Sequence, residues 1–260
     1  MKLGISTASF YPKLTEYSLE AVGKSGCKNA EIFFNASVET KQDFVKELKE
    51  IKDFYGMNIT SIHPTMSLAE SFMLFSNYRR RYDEAIEWYK RYGEIAAYLE
   101  AKYVILHGGK PNKAINNDEY FERFASLSET VENHGGVLLQ ENVAKYRANS
   151  LETVSDMISA IGERAKFCLD IKQCIRGGYT PFDALDVMKE HIKHIHISDH
   201  NGEKDCLLPL KGNFDYPAFF GKLSDFGFNG YGMIEVYKDA YNSESEIFES
   251  LNKLEHSVIK

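Results

Sequence analysis

Six side chains able to bind a metal or move a proton stand in the same kind of place along this sequence, each closing a short apolar run. They are His63 in ITSIH, His107 in YVILH, Glu141 in VLLQE, Asp170 in FCLD, His196 in HIHIS and Glu235 in GMIE. A lone histidine behind an apolar run is more often a hydrogen-bonded core residue than a ligand. Six such groups in succession ask for a common explanation. If the runs are parallel strands of one barrel, their carboxyl ends meet at a single face, where this architecture builds active sites. Carboxylates crowded there repel one another, and a divalent cation is the simplest way to keep them ionised together. Three carboxylates with an imidazole make a hard, oxygen-rich donor set suited to Mn²⁺, Mg²⁺ or Co²⁺, with Zn²⁺ and Fe²⁺ also admissible. Structural zinc would ask for cysteine, and Cys27, Cys168, Cys174 and Cys206 all fall elsewhere. The competing account pairs the carboxylates with nearby Lys or Arg.

The elements that must position these groups are legible as an alternation. Strands are expected at Leu3–Ser6, Ala30–Phe34, Ile59–His63, Tyr103–His107, Val137–Glu141, Phe167–Asp170, His194–Ile197 and Gly232–Val236. Their near-continuous apolar character is that of buried parallel strands. Amphipathic helices are expected between them, at Thr15–Lys24, Thr40–Tyr55, Tyr82–Leu99, Glu119–Asn133, Leu151–Ile161, Phe182–His191, Tyr216–Phe226 and Glu244–His256. In the second, Phe44, Val45, Leu48, Ile51 and Phe54 share one face at helical spacing. Gly56, Gly135 and Gly227 sit just past helix ends, where a left-handed residue is wanted. Eight strands alternating with eight helices imply right-handed crossovers in a parallel sheet. An open doubly wound sheet would usually carry a glycine-rich loop after its first strand; here that turn is Ser6-Thr7-Ala8-Ser9-Phe10. The expected class is therefore α/β, one (β/α)8 TIM barrel forming a single domain over residues 1–260.

Composition narrows the function. A formal net charge of −7 argues against a non-specific phosphate-backbone binder, so no nucleic-acid partner is expected. No run reaches the roughly 18 apolar residues of a membrane span, and Met1–Phe10 lacks the layout of a signal peptide. The cysteines show neither zinc-ribbon nor CxxC spacing. The expectation is a reduced, cytoplasmic protein without a membrane partner, with homo-oligomerisation left open.

Taken in order, SIHP, VILHGG, LLQEN, CLDI, HIHISDHNG, LPLKGNFDY and MIEVY resemble the xylose-isomerase-like superfamily of metal-dependent barrels. The branch is that of sugar-phosphate isomerases and epimerases related to D-tagatose 3-epimerase, hydroxypyruvate isomerase and endonuclease IV. The resemblance runs from KLGIST to MIEVY, nearly the whole chain. It implies one divalent ion, Mn²⁺ foremost, on Glu141, Asp170, His196 and Glu235, with the two glutamates as acid and base. It also implies that His63 and His107 meet substrate or support the ligands. Two departures stand out. Many relatives carry histidine three residues after the strand-six aspartate, where this chain has Gln173, and many have His-Leu-Pro-Leu where this chain has Leu207-Leu208-Pro209-Leu210. Endonuclease IV uses both histidines in a three-zinc cluster, so a single ion is the economical reading here.

The implied reaction is isomerisation or epimerisation of a small sugar or keto-sugar, phosphorylated or not, by proton transfer next to a carbonyl through a metal-stabilised enediolate. Substrate contacts are expected from His63, His107, Gln173, Glu31 and Asp199, although Glu31 could equally pair with a cation and Asp199 could orient a ligand or a turn. Lys172, Arg176 and Lys211 are placed on loops at the mouth, with Phe10, Phe34, Phe72 and Phe75 as candidates to line it. The segment Thr65–Asn77 is long for a βα loop and has the length of a lid. Three alternatives stay open: an endonuclease IV-like phosphodiester hydrolase, a dehydratase or lyase using the same metal, and a non-catalytic sugar-binding barrel.

Overall fold

The computed structural model describes residues 1–64, 67–112 and 114–258. Eight strands form one closed parallel barrel in sequence order, with β8 returning to β1. They are β1 (Lys2–Ser6), β2 (Asn29–Phe33), β3 (Asn58–His63), β4 (Tyr103–Leu106), β5 (Val137–Glu141), β6 (Phe167–Asp170), β7 (Ile192–Ile197) and β8 (Tyr231–Ile234). The expected strands are all present, with ends shifted by a residue or two. His107 and Glu235, read as strand residues, lie one position beyond β4 and β8.

The helices are α1 (Thr15–Lys24), α2 (Gln42–Tyr55), α3 (Ser67–Met73), α4 (Arg79–Leu99), α5 (Asn117–Asn133), α6 (Leu151–Ile161), α7 (Ile171–Gly177), α8 (Pro181–Met188), α9 (Tyr216–Asp225) and α10 (Glu244–Val258). The eight longer ones match the periodic stretches. Val45 and Leu48 of α2 are buried as its pattern requires, but Phe54 is 81% exposed; its position beside Tyr55 at the end of the helix leaves it stacked edge-on against that ring instead. Gly56 closes α2 at φ 61 and ψ 41, returning its N–H to the Asp53 and Lys52 carbonyls.

Two seven-residue helices, α3 and α7, were not anticipated. A run that short shows too little of the 3.6-residue period to be recognised. α3 falls inside the stretch read as a lid. Thr65 and Met66 of that stretch lie outside the described residues. Beyond them Leu74 and Phe75 are buried, so this part of the segment is packed against the barrel.

Two apolar regions hold the barrel. The larger lies between sheet and helices and includes Ile32, Ile62, Leu106, Leu138, Phe167, Ile195 and Ile234. The smaller is inside, where Tyr103, Ile105, Leu139 and Cys168 lie beneath the strand carboxyl termini. Alternation along a strand sends every second residue inward, so His194 and His196 of β7 both enter the barrel. Register sets their neighbours: Asp170 pairs with His196, while Ser6, Glu31 and Ser61 sit abreast on β1, β2 and β3. A register shift in β2 between Ala30 and Glu31 accompanies that alignment.

Candidate active site

Glu141, Asp170, His196 and Glu235 converge at the carboxyl ends of β5 to β8, with ligand-type atoms all within 4.8 Å of one another. His196 is the hub. Its Nδ1 lies 3.2 Å from Glu141 Oε1, 3.2 Å from Glu235 Oε2 and 3.7 Å from Asp170 Oδ2. Its Nε2 faces Glu31 Oε2 at 3.1 Å. Glu31 also accepts hydrogen bonds from Ser6 Oγ at 2.8 Å and Ser61 Oγ at 2.7 Å. Glu31 is buried and does not border the cavity beside the cluster; its contacts are those of an acceptor that orients the His196 ring.

Asp170 ends β6 and caps α7, accepting from Gln173 N at 3.1 Å through Oδ1. Asn142, just after β5, locks that corner: its Oδ1 accepts from Asp170 N at 2.7 Å and its Nδ2 donates to Asp170 O at 3.2 Å. On the β3–β4 side, His107 Nε2 stands 2.9 Å from His63 Nε2 and 3.0 Å from Glu141 Oε2. His63 turns its Nδ1 to the Pro64 carbonyl at 3.2 Å and packs its ring on Phe33 with centroids 4.5 Å apart. Gly108 lets the chain turn here. At φ 85 it holds a left-handed conformation, and a Cβ would sit 2.4 Å from Tyr120 Oη. Glu70 of α3 secures the same turn, accepting from His107 N at 3.0 Å, Gly108 N at 3.2 Å and Tyr89 Oη at 2.7 Å.

A cavity of about 330 Å³ opens beside the cluster, bordered by Phe33, His107, Glu141, Gln173, Glu235 and Tyr237. That is at the small end of ligand pockets. Gln173 lies on its wall while its Oε1 accepts from Ala144 N at 2.9 Å. Asp199 does not border it. Buried, Asp199 accepts from His200 N at 2.7 Å, Phe214 N at 3.0 Å and Gly212 N at 3.1 Å, and so shapes the loop after β7 rather than touching substrate. Phe10, Phe34 and Phe75 are buried in the core and do not line the mouth; Phe72 is exposed beneath the Arg81 guanidinium. Phe33 supplies the aromatic wall instead. Lys211 is exposed, and Arg176 is tied at the rim to Asp205 and Tyr237.

Lys172 is the residue whose position the sequence misled on. It was placed on a solvated loop, but its ammonium bridges Asp170 Oδ2 and Glu235 Oε2 inside the cluster, with 3% of its side chain exposed. The signal was its place two residues after a strand-end aspartate, at the start of a helix too short to detect.

The electrostatics follow from this crowding. Burial disfavours the charged form of Glu141, but the His107 ring overrides it and holds the carboxyl well below the usual range. Burial likewise opposes the Glu31 carboxylate and loses to His196 and His194. The Lys172 ammonium is favoured far above its ordinary value: burial opposes it, and Asp170 and Glu235 outweigh burial.

The donor set fits a divalent cation on two grounds. Three carboxylates and an imidazole nitrogen are donor types that a divalent cation takes together, although here the Lys172 ammonium already serves Asp170 Oδ2 and Glu235 Oε2. Among the described residues none gives a well-aligned hydrogen bond to Glu141 Oε2, although His107 Nε2 is near. A cation seated among these atoms would serve them together.

A (β/α)8 barrel with an acid–histidine cluster at the strand carboxyl ends is the class these observations define. The chain belongs to the xylose isomerase-like TIM barrel family, whose model matches residues 19–256. It is 25% identical to uncharacterized protein MJ1311 of Methanocaldococcus jannaschii, over 99% of this chain and 92% of that protein. Among solved structures it resembles a D-tagatose 3-epimerase-like protein, with a TM-score of 0.79, 22% identity and 99% of each chain covered. It also resembles D-psicose 3-epimerase from Clostridium cellulolyticum H10, with a TM-score of 0.79, 16% identity, and 99% of this chain and 98% of that chain covered. At these identities the structural likeness speaks for the fold alone. Among the described residues no helix is long and apolar enough to cross a membrane.

Proposed function

We propose that this chain is a divalent-metal-dependent isomerase or epimerase of a small sugar or keto-sugar. The observation that carries the reading is the convergence of Glu141, Asp170, His196 and Glu235 within 4.8 Å beside a cavity that both glutamates border. A cation bound there would polarise a substrate carbonyl and favour negative charge developing on its oxygen. Everything else falls to the chain. Glu141 turns Oε1 to His196 and leaves Oε2, without an aligned donor, toward His107. That oxygen is placed to take a proton, and His107 to hold a substrate hydroxyl or steady the carboxylate. For epimerisation, Glu235, across the cluster, would take a proton from solvent and deliver it to the opposite face of the same carbon, while Glu141 releases its proton to solvent. Such acid–base help contributes about 10²- to 10⁴-fold. Phe33 and Tyr237 exclude water from one side of the cavity, which suits small polyhydroxylated ligands. A D-tagatose 3-epimerase-like protein and a D-psicose 3-epimerase share the fold, and Mn²⁺ is the favoured ion for so oxygen-rich a set.

A second reading has its own observation. His63, His107 and Glu141 form another group able to hold an ion, sharing Glu141 with the first. Two bridged ions would suit a phosphodiester hydrolase; Gln173, Leu207 and the net charge of −7 weigh against it. The test is elemental analysis of purified protein, followed by a panel of ketoses and keto acids in ²H₂O with added Mn²⁺. One equivalent of metal and solvent deuterium next to the carbonyl support the isomerase. Two equivalents with cleavage of an abasic duplex and no deuterium uptake replace it.

A further inference from the structure

The Asp170–Glu235 carboxylate pair already holds a cation of the chain's own. Lys172 rises from the first turn of α7, and its Nζ contacts Asp170 Oδ2 and Glu235 Oε2 together. These are the same two oxygens that face His196 Nδ1 and would take the divalent ion. An ammonium and a metal ion cannot both occupy the space between one pair of oxygens. Two cations at that separation in a buried site would also repel strongly. The side chain has somewhere to go. Lys172 borders the cavity, and its Nζ lies 5.9 Å from the centre of the Tyr237 ring, a distance at which aromatic faces attract ammonium groups. The Lys172 stem is long and unbranched, so rotation about its own bonds suffices without movement of α7.

We propose that Lys172 and the divalent ion are alternative occupants of the Asp170–Glu235 pair. The ammonium neutralises the two acids in the metal-free protein and swings into the cavity, toward Tyr237, when metal enters. This rests on the metal-dependent reading above and adds to it that metal binding carries an internal competitor. The device answers the self-repulsion that first suggested a cation: the acids are never left unpartnered, with or without metal. It also sets metal affinity below what the four donors alone would give.

The direct test is amine-reactive labelling of metal-free and Mn²⁺-loaded protein, reading modification of Lys172 by mass spectrometry. Lys172 is expected to be protected without metal and to label at least about tenfold faster with it. A purely electrostatic effect on metal affinity would not move that readout. In parallel, Mn²⁺ titration of Lys172→Met and Lys172→Gln should give affinities at least about tenfold tighter than the wild type. The metal-free variants should melt at lower temperature, with Mn²⁺ restoring the loss. If wild type and both variants bind Mn²⁺ equally and Lys172 labelling is unchanged, the competition is refuted and the metal-dependent reading survives. Binding in the variants alone would uphold the competition and remove metal dependence from the native enzyme. No Mn²⁺ binding in any of the three would remove both.

Discussion

The two halves of the barrel share one architecture and carry opposite chemistry. β5 to β8 supply Glu141, Asp170, His196 and Glu235, the groups that could hold a cation. β1 to β4 supply no member of that quartet. They contribute what keeps its members aimed: Glu31 on β2 reaches across to His196, and His63, the last residue of β3, and His107, just after β4, flank Glu141. Two of the four ligand-type residues on the far half are thus braced by a residue of the near half. The lesson is a division of labour. Substitutions in β5–β8 should act on the chemistry itself, whereas those in β1–β4 should act through orientation and be graded.

The sharpest way to break this division is at its largest expected effect. Glu141→Gln and Glu235→Gln preserve size and remove the carboxyl groups proposed to transfer the proton. Each is expected to lower turnover of the sugar identified in the panel by about 10²- to 10⁴-fold. Near-normal rates in both variants would end the acid–base assignment, and the special status of the far half with it.

Next in size is Glu31→Gln on the near half. The Glu31 carboxylate accepts from four groups, Ser6, Ser61, His194 and His196, and an amide cannot accept from all of them. His196 loses its fixed tautomer, and outer partners of this kind commonly change metal affinity by about 10- to 100-fold. Weakening in that range with the fold intact, measured by Mn²⁺ titration, is the expected result; unchanged affinity would reduce Glu31 to packing. Glu31 also links to pH. Its folded-state carboxyl is held well below the ordinary value, so its contribution to stability is present above the unfolded value of about 4.3 and is lost as pH falls through the folded one. Acid denaturation of the metal-free wild type should therefore steepen below about pH 4.3, and Glu31→Gln should flatten it.

A smaller effect on metal affinity is expected at Glu70, which touches no ligand-type atom of the quartet. Glu70→Ala leaves the His107 and Gly108 N–H groups and the Tyr89 hydroxyl without their acceptor. Stranded buried donors cost about 1–3 kcal/mol each, so with three of them denaturant unfolding should show a loss of at least about 3 kcal/mol. Mn²⁺ affinity should hold, because the four donors are untouched. A loss of affinity with no loss of stability would mean the near half reaches the metal through the His107 turn as well as through Glu31.

Why the far half is legible in the sequence, and Lys172 is not, comes down to how each is encoded. A buried parallel strand announces itself as an apolar run, and a carboxylate or histidine at its end breaks the pattern visibly; Glu141, Asp170, His196 and Glu235 all did so. The closed barrel followed from counting alternations, which needs no accuracy at any one boundary. Glu31 was visible as an acid within the second strand, but its role depended on register: the alignment with Ser6 and Ser61 and the throw across to β7 are properties of the closed sheet. Glu70 and Lys172 sit on α3 and α7 respectively, helices of seven residues each, where no period is long enough to say which side chain turns inward. A lysine behind a strand is solvated by default, and only the closure of α7 over Asp170 reverses that. For Asp199, expected to orient either a ligand or a turn, the contacts show the turn. Its three backbone donors come from residues up to Phe214, a loop closure that sequence neighbours do not reveal.

The smallest effect sharpens the comparison by asking whether it is the half of the barrel or the burial that matters. Arg176 belongs to the far half, on α7 like Lys172. Its Nε and Nη2 take Asp205 at 2.5 and 3.0 Å, and its Nη1 donates to Tyr237 Oη at 2.8 Å. Yet its side chain is 28% exposed and that of Asp205 42%, so water competes for both ends of the pair. Exposed pairs of this kind contribute roughly 0–1 kcal/mol. Arg176→Gln should thus change stability by less than about 1 kcal/mol and leave Mn²⁺ affinity near the wild-type value, whereas Lys172→Met, four residues earlier on the same helix, should shift affinity at least about tenfold. The contrast is read by running both variants through one metal titration and one thermal melt. Equal shifts in the two would mean that positive charge anywhere on α7 governs the cluster, and that the burial separating Lys172 from Arg176 counts for nothing.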